Sequence, residues 1–297
     1  MLNPIIKWSG SKRFQAEAIV NLFPKKINTY YELFLGGGSV LGEFLTRLDN
    51  KAIECNNIIC CDNNKDLIDL WIIIKDNPKL LIEEYSKLYE TFSSFGLDYE
   101  GKKKFYYDNR NKYNEFRKNN IFNTERTIIF NWLLRTCFNG LIRYNKYDEF
   151  NTSCHFTRNG IIPKNLEKII DEWSVLLNKF NVEFLCCSYD ELPFPLNVFT
   201  KDDIMYFDPP YPNSGGSQYS FDEFNNDKFF EWLKQLPCKY LLSYDGKSGK
   251  DDRTYNVSES IYDEHIYLDS GLSSFKRLIG KGLDEVKDSL YIKNARS

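Results

Sequence analysis

The sequence predicts an α/β protein built on a doubly wound, parallel sheet that is interrupted by a mainly helical block. Three observations point there. Two strand-turn-helix units follow one another near the amino terminus, in "TYYELFLGGGSVLGEFLTRL" and "NIICCDNNKDLIDLWIII". The strand signal then fades between about Asn77 and Asp171, where aromatics, Asn, Lys and Arg dominate. It returns in "VEFLCCSYDEL", "DIMYFDPPY" and "KYLLSYD", with the helix "NNDKFFEWLKQL" between the last two. The expected division is a discontinuous sheet domain, 1–75 and 175–297, around an insertion at 76–174.

In the first unit the run Tyr30 to Leu35 is the strand and Gly36-Gly37-Gly38 the turn. Val40, Leu41, Phe44, Leu45 and Leu48 then recur at helical spacing. In the second unit a short strand, Ile58 to Cys61, ends at Asp62, and Asn63 or Asn64 caps the helix that follows. The middle block predicts helices around Leu80 to Tyr89 and Thr127 to Cys137. Later, Ile204 to Phe207 run straight into Asp208-Pro209-Pro210-Tyr211 and a Gly- and Ser-rich loop reaching Gly216. Each proline fixes φ at about −65° and removes a donor, so the strand must stop there in one rigid shape. Asp208 and Tyr211 are then held on a stiff corner at the carboxyl end of a strand, where an open α/β sheet keeps its ligands.

A chain of 297 residues with 42% hydrophobic and 27% charged residues has the balance of a folded globular protein. No apolar run approaches a membrane span, and "MLNPIIKWSGSK" lacks the apolar stretch of a signal peptide, so a cytoplasmic location is expected. Of the eight cysteines, Cys60-Cys61 and Cys186-Cys187 are adjacent pairs inside apolar segments and read as buried, reduced thiols. The sequence has neither paired CxxC motifs nor HxxxH; Cys154-His155 is a loose candidate for a metal, against a packing or loop role. The net charge of −3 argues against a nucleic-acid binder. Locally, however, Gly101 to Asn120 ("GKKKFYYDNRNKYNEFRKNN") is basic with interleaved aromatics. That composition suits phosphates and bases, and equally a solvated amphipathic helix.

The glycine turn lets a nucleotide-like ligand approach the backbone closely. Ser39-Val40 follows it, which is not a phosphate-loop Gly-Lys-Ser/Thr, and the third glycine of a dinucleotide fingerprint is displaced from Leu41 to Gly42. Two roles suit Asp62: accepting from ribose hydroxyls, or capping the next helix. At the proline corner, the Asp208 carboxylate and the Pro209 carbonyl are acceptors suited to the two hydrogens of an exocyclic amine, and Tyr211 offers a flat face to a base. Such an amine is a poor nucleophile because its lone pair is delocalised into the ring. Two acceptors favour the pyramidal nitrogen on which that pair is available. The chemistry calls for no metal and no covalent nucleophile, but for a strong methyl donor. S-adenosylmethionine suits a glycine turn with an acid at the next strand end.

The order "KWSGSK" (Lys7 to Lys12), "ELFLGGGSV" (Glu32 to Val40), a middle block and "DPPY" (Asp208 to Tyr211) resembles the Dam-type adenine-N6 DNA methyltransferases, in the alpha-group arrangement. Within the block, "LLRTCFNGLIRYN" (Leu133 to Asn145) and "EFN" (Glu149 to Asn151) are similar to that family's DNA-contacting segment. The resemblance covers nearly the whole chain. It implies a Rossmann-like, S-adenosylmethionine-dependent sheet with an inserted target-recognition domain, acting on an adenine flipped out of double-stranded DNA. It also admits a cognate restriction endonuclease as partner.

Carried over by position, Trp8 and Lys12 would contact the cofactor, with Glu32, Phe34, Gly36, Gly38 and Ser39 beneath it and Asp62 on its ribose. Asp208 would stand between cofactor and target amine, with Pro209, Pro210 and Tyr211 completing the catalytic corner. Phe138 and Leu141 would be apolar wedges in the DNA, Asn139 a phosphate contact and Arg143 a reader of a base edge, with Asn145 in the same segment. One departure stands out. Relatives usually continue "EFN" with a Pro and a Gly, whereas this chain has Thr152-Ser153-Cys154-His155, which leaves the shape of the recognition hairpin open. Taken singly, Trp8 and Phe138 equally suit core aromatics, and Lys12 and Arg143 surface charges. Two rivals stay open: an RNA or cytosine-N4 methyltransferase using the same corner, and a catalytically silent DNA-binding relative.

Overall fold

Alternation along the strands buries both faces of one sheet, and the computed structural model describes that sheet through residues 2–8, 10–211, 224–272 and 285–296. The end of the expected Gly- and Ser-rich loop, 212–216, lies outside the described residues. Five strands run parallel: β1 (Lys26–Glu32), β2 (Glu54–Asp62), β3 (Glu183–Cys186), β4 (Ile204–Phe207) and β5 (Lys239–Ser248), in the order β3-β2-β1-β4-β5. The two-residue β6 (Asp251–Asp252) folds back on β5. An antiparallel pair, β7 (Glu264–Leu272) and β8 (Glu285–Lys293), extends the sheet with β8 beside β5. Chain order reverses at β1, between β2 and β4, which is where such a sheet opens its crevice.

Register brings three carboxylates to that crevice. Glu32 at the end of β1 pairs with Cys60 of β2 and with Tyr206 of β4. Asp62 and Asp208 each lie two residues further on, so they flank Glu32 on the same side of the sheet.

Odd and even strand residues feed separate cores. Tyr30, Cys60, Ile204, Tyr206, Leu241 and Leu290 face one way, with α1 (Ala16–Val20), α2 (Ser39–Asp49) and α3 (Lys65–Asp76). Tyr31, Cys61, Met205, Phe207, Leu242 and Tyr291 face the other, with α8 (Asn226–Leu233). All five apolar positions of the α2 periodicity are buried. Of the two candidate caps of α3, Asn64 is the one used: its side chain accepts from the Leu67 N–H at 3.1 Å. Asp62 is therefore not the helix cap.

The middle block folds as α4 (Pro78–Ser94), α5 (Tyr99–Lys118), α6 (Thr124–Thr136) and α7 (Pro163–Lys179). The expected boundary at 174/175 falls inside α7, which packs against α2, α3 and α4. The block shares the first core: Leu81, Tyr106, Trp132 and Trp173 belong to the same apolar cluster as Trp71 and Leu41. A buried ionic knot ties the two parts. Asp66, in the first turn of α3, accepts from Arg126 of α6 (2.5 and 2.9 Å), from Arg117 of α5 (2.7 Å) and from the Tyr113 hydroxyl (2.7 Å).

Several expectations are corrected. The first strand starts at polar Lys26 and ends at Glu32, where Tyr30 to Leu35 was expected. Its amino end pairs with the equally polar start of β2, so apolarity does not mark it; beyond Glu32, Leu33 donates to Tyr206 and Leu35 to Cys61, straddling two strands. Cys60 and Cys61 are buried, but Cys186 is exposed and Cys187 half-buried, because β3 is an edge strand. All eight thiols are unbridged. The basic segment on α5 is divided between cations that turn inward and cations that stay exposed. Lys102 is buried on Asn159 (2.9 Å), Arg117 turns to Asp66, and Lys104 and Lys112 pair with Asp108 (2.8 Å) and Glu125 (2.5 Å). Among the described residues no helix is long and apolar enough to cross a membrane.

Candidate active site

The glycine turn is shaped by the indoles around it. Gly38 has φ +64°, and a Cβ there would lie 2.6 Å from the Trp71 ring, so neither conformation nor space admits a side chain. Trp71 in turn donates from Nε1 to the Gly36 carbonyl at 3.1 Å. The glycine displaced from the dinucleotide pattern, Gly42, lies against Trp173, which would stand 2.9 Å from a Cβ there. Trp8 also packs on the turn, with its ring against Gly36. Asp62 ties the turn to β2: one oxygen accepts from Gly36 N–H at 3.0 Å, the other from Asn64 N–H at 2.9 Å. Burial raises the Asp62 carboxyl above its ordinary value, and these two N–H donors pull it back.

Glu32 lies at the floor, 2% exposed, and accepts from the Tyr30 hydroxyl at 2.6 Å. Burial pushes its carboxyl up to about 8; the Tyr30 hydrogen bond opposes the shift and the nearby Asp208 charge adds to it. Asp208 is treated differently. Burial raises it, but Lys12 stands 2.9 Å from Oδ1 and opposes the rise, as does the Tyr211 hydroxyl, which donates to the same oxygen at 3.0 Å. Asp288 of β8 pushes the other way. Lys12 is itself 6% exposed; it donates to the Gly10 carbonyl at 3.2 Å and lies 3.7 Å from Asp288. Its ammonium also stands 4.9 Å from the Tyr211 ring centre. Tyr211 stacks on Tyr244 (5.9 Å, 19°), which stacks on Tyr255 (5.5 Å, 17°). One ring face is thus backed by aromatics.

Trp8, Lys12, Glu32, Phe34, Gly36, Gly38, Ser39 and Asp62 line one cavity of about 350 Å³ with Asp208, Pro209, Pro210 and Tyr211. Leu141 reaches it from the middle block. Ser11, which sequence reasoning did not single out, joins the wall and hydrogen-bonds Ser39 (2.8 Å). Asp288 and Gln15 were also missed, since only the fold brings β8 to Lys12.

Phe138, Asn139, Arg143 and Asn145 lie outside the cavity, on a hairpin that leads from α6. Antiparallel bridges Cys137–Cys154 and Tyr144–Phe150 close it. Thr152, the first residue after Glu149 to Asn151, is buried: its hydroxyl donates to Leu141 O at 2.7 Å and its carbonyl accepts from the Tyr106 hydroxyl at 3.0 Å. This chain therefore fixes the hairpin through Thr152 and α5. Phe138 is 49% exposed and stacks on His155 (5.5 Å, 22°). Asn139 takes φ +55°. Arg143 is exposed, with Nε on Asn151 Oδ1 at 2.8 Å. Asn145 spends its side chain on the hairpin tip, donating to Glu149 and accepting from the N–H groups of Tyr147 and Glu149. Cys154 is buried against Cys137, and among the described residues no group of three or more His, Cys, Asp or Glu is disposed to hold a metal ion.

A parallel sheet closed by an antiparallel pair, with acid-ended strands around a glycine turn, has the fold of the methyltransferase class. Residues 8–279 match the family described as D12 class N6 adenine-specific DNA methyltransferase, and the chain belongs to that family. It is 31% identical to the Type II methyltransferase M.MjaIII of Methanocaldococcus jannaschii, over 98% of this chain and 97% of that one. It is 33% identical to a DNA adenine methylase of Haemophilus influenzae, over 70% of this chain and 63% of the relative.

Proposed function

We propose that this chain binds S-adenosylmethionine between the ends of β1, β2 and β4, and methylates N6 of an adenine turned out of duplex DNA into the Asp208 to Tyr211 corner. The observation that carries this reading is that the Lys12–Asp208–Tyr211 cluster opens into the same cavity as the glycine turn and Asp62. The residues present suit the cofactor: an acid at the second strand end for ribose hydroxyls, a glycine turn for close approach, and Trp8 and Phe34 for an adenine ring. S-adenosylmethionine supplies an activated methyl group carried on a sulfonium.

The protein's own part is positioning and charge. Asp208 accepts a hydrogen of the target amine while Lys12 and Tyr211 hold its other oxygen, and the Pro209 carbonyl takes the second hydrogen. As the nitrogen gains positive charge, the Asp208 carboxylate lies beside it and favours loss of the proton. Tyr211, backed by Tyr244, gives the base a flat surface. On the DNA side, Phe138 and Leu141 occupy the gap left by the flipped base, Asn139 meets phosphate and Arg143 reads a base edge; Asn145 keeps the hairpin tip in shape for them. The block 76–174 thus serves target recognition, in the cytoplasm where the DNA is, with a restriction endonuclease as functional counterpart.

The test is to incubate the protein with duplex DNA and methyl-labelled S-adenosylmethionine, digest to nucleosides and weigh them. Label in N6-methyldeoxyadenosine is expected. Label in N4-methyldeoxycytidine, label only when RNA is supplied, or no label would each overturn the reading.

A further inference from the structure

A lysine against the carboxylate of a sulfonium-dependent site raises an electrostatic difficulty. Lys12 neutralises Asp208 at 2.9 Å and lines the cavity where a second cation must enter. Left so, the pair presents no net charge to a sulfonium, and the ammonium repels it. The answer lies on β8, outside every motif. Asp288 Oδ2 stands 3.7 Å from Lys12 Nζ, so the ammonium has a second carboxylate beside Asp208. It is held there, not merely near: Gln15 Nε2, on a side chain 2% exposed, donates to the same oxygen at 3.0 Å and also reaches Ser270 Oγ. The strand pairs with both β5 and β7, and Asp288 lies on the face of its buried neighbours Leu290 and Ile292.

We propose that Asp288 is a positioning residue of the methyl-transfer site. It holds the Lys12 ammonium between two carboxylates and cancels its charge, so that the cluster keeps one net negative charge for the reacting centre. Two carboxylates against one ammonium leave that unit over, and it is the unit that complements a sulfonium and then a methylated amine. The geometry also gives Lys12 a second anchor. At 3.7 Å the Asp288 contact is an ion pair longer than a hydrogen bond, while the Asp208 contact at 2.9 Å is a full one. With both carboxylates in reach, Lys12 can ease away from Asp208 when the target amine docks without becoming a buried unpaired charge.

The inference rests on S-adenosylmethionine binding as proposed above, and its test separates the two. S-adenosylmethionine and S-adenosylhomocysteine differ by one methyl group and the sulfonium charge. Their dissociation constants are measured by calorimetry, without DNA, on wild type, Asp288→Asn, Lys12→Gln and the double variant. Asp288→Asn should weaken S-adenosylmethionine by about tenfold while leaving S-adenosylhomocysteine within about twofold, because only the charged ligand feels the missing charge. Lys12→Gln should move the ratio in the opposite direction, and the double variant should return near wild type. Equal weakening of both ligands by Asp288→Asn, or no weakening, overturns the proposal. If Asp288→Asn does not fold, Lys12→Gln decides: a ratio unchanged or moved away from S-adenosylmethionine overturns it. A wild type that binds neither ligand defeats the cofactor assignment itself, and the proposal with it.

Discussion

At the crevice, one ammonium is shared between two carboxylates; at the seam between sheet and helical block, one carboxylate is shared between two guanidiniums. Lys12 sits between Asp208 and Asp288, Asp66 between Arg126 and Arg117. The two clusters are near mirror images in charge, yet they are set in different surroundings. The seam is nearly sealed, with Asp66 2% and Arg126 4% exposed and the Tyr113 hydroxyl filling the remaining position. The crevice opens onto a cavity, and its Asp208 side chain is 19% exposed. A buried carboxylate satisfied on all sides is architecture. One left open beside a cavity is available for chemistry.

The largest effect should come from removing the seam. Asp66→Ala strands a buried guanidinium, and breaking such a pair from one side costs about 3–5 kcal/mol. Chemical denaturation would read it. Asp208→Ala should cost much less, because Lys12 keeps Asp288. Equal losses in the two variants would erase the distinction between the clusters.

A second effect concerns Glu32, whose carboxyl burial pushes far above its ordinary value. Its folded value of about 8 lies above the 4.5 of an ordinary glutamate. The stability it contributes is therefore whole below 4.5, declines as the unfolded chain ionises, and is lost as pH rises through about 8. Glu32→Gln removes that loss, by a few kcal/mol at most. The melting temperature of the variant should gain on wild type across that window and stop gaining above it. A gap independent of pH would show that Glu32 is ionised in the fold.

The smallest effect distinguishes two kinds of cation in the middle block. Arg143 is exposed on the hairpin, whereas Lys104 pairs with Asp108 on α5. Arg143→Ala should cost about 1–3 kcal/mol on the proper site and far less on altered ones. Lys104→Ala should change little, on any site. Methylation over a panel of single-base variants at two salt concentrations checks both. A uniform loss with Arg143→Ala would make it a phosphate or structural contact.

How much of this could be read from the sequence follows the distance between partners along the chain. Gly36 to Ser39, Asp62 and Asp208 to Tyr211 are short segments whose chemistry is local, at strand ends that periodicity and prolines mark; they lie together in one cavity. Which cations of α5 turn inward could not be read from the sequence because their partners are remote: Arg117 meets a carboxylate 51 residues away, Lys102 an amide 57 away. Asp288 was invisible for the same reason, 273 residues from the Gln15 that holds it, on a strand whose mixed polar pattern carries no strong signal. Charge composition reports how many ions there are, and only the fold reports which face inward.

The most direct test of the crevice as a methyl-transfer site is Asp208→Asn, assayed for turnover and for DNA binding on the same preparation. The amide places a donor where the target amine also donates and removes the charge that faces it. Turnover should fall by about a thousandfold or more, as when an essential charge-stabilising group is lost, while DNA affinity stays within about twofold. Turnover within about tenfold of wild type would remove Asp208 from the reaction and contradict the assignment of the site.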